Sequence, residues 1–153
     1  MAGFRIVGGD VRLETGSVVD EMVSSATNID ADKLEHIHKA GSNFGLAIGG
    51  TPVAYEEIVY VAEVASTIRG FHAMLNDTGT STSCTFDLKI NGTTALSGVV
   101  TITHGEADKA VLDGTLTTTT LAVDDVVSIA LAQSANTGAQ GPYAWAVIDE
   151  TAP

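Results

Sequence analysis

Cys84-Thr85-Phe86-Asp87-Leu88-Lys89-Ile90-Asn91-Gly92-Thr93-Thr94-Ala95-Leu96-Ser97-Gly98-Val99 is the stretch that decides the fold. Cys84, Phe86, Leu88 and Ile90 alternate with Thr85, Asp87 and Lys89, the period of two expected of a half-buried strand. Asn91-Gly92 is the preferred pair for a two-residue type I′ turn, because both central residues need positive φ. The residues from Thr94 to Thr103 then read as the returning strand. The hairpin itself brings together no nucleophile, base and ligand.

Outward from this hairpin the same texture continues. Glu57 to Val64 and Thr67 to Leu75 read as strands before it, separated from it by the turn Asn76-Asp77-Thr78-Gly79-Thr80. After it come the polar bend His104 to Asp108, strand candidates at 109–112 and 114–119, and the strands Val126 to Gln133 and Tyr143 to Asp149. Short strands recurring every ~8–12 residues with turn signals between them indicate an antiparallel sandwich or barrel. The expected fold is all-β, an antiparallel, jelly-roll-like β-sandwich over residues 55–153.

Residues 1–54 differ. They are rich in glycine and lack sustained periodicity, and they read as an irregular N-terminal arm. Arg5-Ile6-Val7 and Val11-Arg12-Leu13 suit short strands around Gly8-Gly9-Asp10. Asn28 to Lys39 suits a helix capped by Asp30 or, with poorer alternation, a strand. Ordering such an arm costs about 1–2 kcal/mol of backbone entropy per residue, so it needs a surface to lie against.

Composition narrows the function. Seven basic against nineteen acidic residues give a net charge of -12. That balance opposes nucleic acid, whose binding rests on neutralising phosphates with Lys and Arg, and opposes an anionic membrane surface. No run approaches the ~20 apolar residues of a membrane helix, and no apolar signal segment opens the chain. The expectation is a protein made in a cytoplasm, without membrane or nucleic-acid partners. The single cysteine, Cys84, shares its phase with Phe86 and reads as a small buried hydrophobe.

Residue chemistry assigns no site: no catalytic, cofactor-binding, metal or nucleic-acid residues are expected. His36 and His38 form a His-x-His pair suited to zinc, but a third ligand would have to be His72 or His104, and neither has a metal spacing. Glu106, Asp108, Asp124 and Asp125 read as solvated turns rather than a calcium loop. Tyr143 and Trp145 share one face of the last strand and read as core or interface ahead of a sugar-stacking shelf. No Gly-x-Ser-x-Gly elbow or phosphate loop is present. The protein is expected not to be an enzyme.

Four stretches carry a family resemblance: Ala31 to His38, Ala65 to Ala73, Thr85 to Thr93, and Gly114 to Leu116 with Leu121 to Val127. They resemble the small β-sandwich decoration (cement) proteins of tailed-bacteriophage heads. The resemblance implies a homotrimer on the capsid exterior at three-fold or quasi-three-fold points. Its partner would be the major capsid protein, and the arm would reach over neighbouring subunits. Similar hairpins occur in phage fibre tips. The alternative is therefore a glycan- or receptor-binding module of a fibre or head spike, with its site in the loops Asn76–Thr80, His104–Asp108 and Ser134–Pro142.

Overall fold

The computed structural model describes Arg5–Val7, Asp10–Arg12 and residues 36–150, and the chain divides into two compact units, Met1–Leu34 and Glu35–Pro153. In the first unit, β1 (Arg5–Val7) and β2 (Asp10–Arg12) pair antiparallel with Val7 opposite Asp10, the hairpin anticipated around Gly8-Gly9. The remainder of the expected arm before His36 lies outside the described residues.

The second unit is all-β. One sheet runs β10 (Thr120–Leu121), β5 (Ser66–Asp77), β12 (Gln140–Glu150), β3 (His36–Ser42), with β9 (Leu112–Gly114) also on β5. The other runs β4 (Tyr55–Val61), β11 (Val126–Thr137), β6 (Ser81–Ile90), β7 (Thr93–Thr94), with β8 (Val100–Thr103) also on β6. The pairs β3·β12, β4·β11, β5 with β9 and β10, and β6 with β7 and β8 are all antiparallel. This is one long antiparallel ribbon rolled over itself so that its pairs alternate between two sheets, the jelly-roll winding.

The core lies between the sheets. Ile68, Phe71, Ala73 and Leu75 of β5 and Ala144, Ala146 and Ile148 of β12 face Cys84, Phe86 and Leu88 of β6 and Val127, Ile129 and Leu131 of β11, all buried. Each large side chain there contributes roughly 1.5–3 kcal/mol through removal from water. Phe44 packs on Phe86 with ring centroids 5.8 Å apart.

The Asn91-Gly92 turn is as the sequence indicates. Asn91 has φ 50° and Gly92 φ 77°, with Ile90 opposite Thr93. Asn91 also fastens the turn to the approach into β11. Its Nδ2 donates to Asp125 Oδ1 (2.7 Å), and its Oδ1 accepts the Val126 N–H (2.9 Å).

Three sequence-based expectations change. The expected arm runs to residue 54, yet β3 bonds to β12 along its whole length, so the sandwich takes in His36–Ser42. Only Ala40 and Ser42 of β3 are buried, because the strand is an edge, and its alternation is correspondingly faint. The helix reading of residues up to Lys39 fails for the same segment. Finally, the returning strand Thr94–Thr103 is broken into β7 and β8, because Leu96 leaves β6 to bridge Leu116. Among the described residues no helix is long and apolar enough to cross a membrane.

Candidate functional site

The outer face of the β9–β5–β12–β3 sheet carries a group of rings in contact, Tyr143 exposed and Trp145 and His72 half-buried. Register builds it. Trp145 of β12 stands opposite His72 of β5 on one side and Gly41 of β3 on the other, while Tyr143 stands opposite Met74. Asp113 of β9 lies opposite His72. A row Asp113–His72–Trp145–Gly41 therefore crosses four strands.

A bulge sets the phase of this row. β5 has one extra residue, Arg69, at the Val147–Ile148 step of β12. Ile68 points inward before the bulge and Phe71 after it. His72 and Met74 consequently emerge on the outer face, a common use of an extra strand residue. Arg69 turns to the same face and donates through Nε to Asp149 Oδ2 (2.9 Å).

The rings pack against one another. Tyr143 and Trp145 have centroids 5.4 Å apart with planes tilted by 32°, and Trp145 and His72 5.1 Å apart at 31°. Two glycines leave the room. A Cβ on Gly41 would stand 2.7 Å from the Tyr143 hydroxyl, and one on Gly70 would stand 2.9 Å from His72 Nε2. Tyr143 keeps 40% of its surface exposed. His72 Nδ1 is 2.7 Å from Asp113 Oδ1, which fixes the imidazole plane and leaves Asp113 at the solvent edge.

Beyond Tyr143 the row opens into a cleft of about 330 Å³ whose lining includes Asn43, Leu46, Ile48, Met74, Asn76 and Tyr143. Asn43 Oδ1 accepts the Gly45 N–H (3.1 Å), so its amide protons remain to donate. An apolar cleft with a few amides beside an aromatic row has the composition of a small-molecule site.

The three loops assigned to a ligand by sequence do meet, at one end of the sandwich, but they satisfy one another. The Thr78 N–H donates to Asp108 Oδ1 (2.9 Å), the Thr78 hydroxyl lies 3.1 Å from Asp108 Oδ1 and from the Glu106 carbonyl, and the Thr80 N–H donates to the Thr137 carbonyl (3.0 Å). These bonds hold the Asp108 carboxyl below its usual range, the Thr78 backbone N–H contributing most. Asp125 is lowered likewise, first by Asn91 and then by the Ala122 N–H. Both acids act as loop fasteners.

Of the other sequence candidates, Cys84 is fully buried in the core, and burial raises its thiol to about 11. Tyr143 and Trp145 are a face, not core. Sequence reasoning placed them on one side of β12 but missed His72, Met74 and Asp113. Those three reach the same face only through cross-strand register and the Arg69 bulge.

No family model and no curated protein matches the chain. Among solved structures it is similar to the EclA C-terminal domain, a sugar-binding protein, at 10% identity and a TM-score of 0.34, over 86% of this chain and 96% of that one. The functional reading therefore rests on the side-chain geometry.

Proposed function

We propose that this chain is a non-catalytic binding module that takes a saccharide on the outer face of the β9–β5–β12–β3 sheet. The observation that carries it is the row Tyr143–Trp145–His72 on this face, with neighbouring ring centroids 5.4 and 5.1 Å apart and planes tilted by 32° and 31°. A sugar ring presents a face of C–H groups with slight positive charge, which suits the negative face of an aromatic ring. Its hydroxyl rim suits Asp113 on one side of the row and the amides of Asn43 and Asn76 on the other. The carboxylates on this face, Asp113 and Asp149, are each engaged by a basic side chain, His72 and Arg69, rather than facing one another across a cleft as glycoside hydrolysis requires.

A glycan array followed by calorimetry tests this reading. Trp145→Ala should weaken the best glycan by about tenfold or more, because losing the stacking and its buried area costs about 1.4 kcal/mol or more. Failure of every glycan class to bind, or binding indifferent to Trp145→Ala, would reject the module reading.

The second reading is decoration of a phage head as a homotrimer bound to the major capsid protein on the virion exterior. The family resemblance supports it, together with one surface feature. Ile58 and Val61 are 65% and 48% exposed on edge strand β4, on the face away from the core. Edge strands carrying exposed apolar residues are commonly covered by another chain. Sedimentation of the full chain should then give a trimer that Ile58→Glu dissociates; a monomer at all concentrations would count against it.

A further inference from the structure

At the rim of the sandwich, far along β12 from the ring row, a second group of side chains converges. We propose that His36, His38 and Glu150 form a binding site for a late first-row divalent cation, Zn²⁺ above all. His36 and His38 are two apart on β3 and share the phase of Ala40 and Ser42, so both imidazoles look toward the inner side of the sheet beyond the last core layer. Glu150 stands directly opposite His36 across the β3·β12 pair and shares the phase of Ile148. The three donor atoms lie within 4.8 Å of one another.

The geometry is close to what a cation needs. Tetrahedral zinc with bonds of ~2.0–2.1 Å separates its ligands by ~3.3 Å. His38 Nε2 and Glu150 Oε2 are already 3.3 Å apart. The longer separations involve His36, which is exposed, so that a change of rotamer there displaces no core side chain.

The carboxylate is also held from behind. The Tyr60 hydroxyl donates to Glu150 Oε1 (2.8 Å), the shorter of its two polar contacts, the other being Ser66 Oγ at 3.3 Å. Glu150 is thereby turned with Oε2 toward His38. Partners that orient a ligand in this way are a regular part of metal sites. Two imidazoles and one carboxylate favour Zn²⁺, Co²⁺ or Ni²⁺ over Mg²⁺ or Ca²⁺, which prefer all-oxygen shells. Three protein donors leave a coordination position for water or for a donor from another molecule.

The test uses the tag-free full chain, Zn²⁺ in competition with a chromophoric chelator, and the visible spectrum of the Co²⁺ form. One Zn²⁺ per chain is expected, with Co²⁺ giving the intense bands of a four-coordinate site. His36→Ala, His38→Ala and Glu150→Gln should each weaken Zn²⁺ by about tenfold or more, and Tyr60→Phe by a smaller factor. His104→Ala should change nothing. His36→Ala is the decisive variant, since an exposed ring can be removed without disturbing the fold, as the metal-free circular dichroism would verify. Absence of stoichiometric Zn²⁺ binding, or binding unchanged in His36→Ala and Glu150→Gln, would reduce the trio to a His38–Glu150 ion pair and overturn the proposal.

Discussion

Tyr143 rests over Gly41 of the neighbouring strand, its hydroxyl 2.7 Å from where a Cβ on residue 41 would stand. The same Cβ would meet Trp145 Cβ at 3.0 Å and the Ala144 carbonyl at 3.1 Å. A glycine on an edge strand is ordinarily a weakness, because it packs nothing. Here the hydroxyl end of Tyr143 fills the gap, and the glycine leaves room for it beside Trp145. Gly41→Ala should therefore push Tyr143 off its seat. The expected result is a stability change within about 1–2 kcal/mol, the usual range for overpacking at a partly open site. It should come with loss of near-ultraviolet dichroism from the ring row and at least tenfold weaker glycan binding. A variant with unchanged aromatic dichroism would place the ring elsewhere.

Asn91 both makes the hairpin turn and fastens it to β11, through Asp125 Oδ1 and the Val126 N–H. Asn91→Ala forces a residue with a Cβ and no polar group into φ 50° and leaves the Val126 N–H without its partner. The combined penalty is about 2–3 kcal/mol, from a left-handed backbone and one lost hydrogen bond. Asn91→Gly keeps the backbone and loses only the fastening, so it should cost about half as much. Urea unfolding of the two variants separates the contributions, and equal destabilisation would show that the turn conformation carries no weight.

The contrast between what the sequence discloses and what it hides follows from range. The Asn91-Gly92 turn is specified by adjacent residues, so it reads directly, as do the alternation of Cys84, Phe86 and Leu88 and hence the burial of the thiol. The ring row depends on Trp145 meeting His72 across a register set by the Arg69 bulge, which no local pattern announces. The His36–His38–Glu150 group was half visible, as a His-x-His pair. Its third member comes from the far end of the chain through β3·β12 pairing. The pairing was missed because β3 buries too few residues to alternate clearly.

Acid should loosen the loop ends before the core. The Asp108 and Asp125 carboxyls both lie below the ordinary 3.8, held by Thr78 and by Asn91 with the Ala122 N–H. A depressed folded value means that the carboxylate form contributes stability in full above 3.8, and that this contribution is lost as pH falls through the folded value. The urea midpoint of the native chain should hold steady from neutrality to about pH 5 and drop steeply below about pH 4. The double variant Asp108→Asn, Asp125→Asn should start lower at neutral pH and fall less over the same acid range. Parallel curves for the two proteins would assign the acid transition to other carboxylates.

Cys84 supplies the complementary test at high pH. It sits in the core with Phe86 and Leu88, fully buried, and burial raises its thiol from 9.0 to about 11. Only the thiolate reacts with disulfide reagents, and a buried thiol must first be exposed. The folded chain should be inert to such a reagent at pH 8, whereas unfolding in urea should release one thiol per chain. The raised folded value also fixes a sign for stability. The neutral thiol's contribution is complete below 9.0 and fades as pH climbs toward about 11, because the unfolded chain surrenders its proton first. Cys84→Ala removes this alkaline loss and leaves a small cavity, so it should be less stable than the native chain at pH 7 and should narrow the gap by pH 10.5. A native protein labelled at pH 8 as fast as an unfolded one would mean that the core opens far more readily than its packing implies.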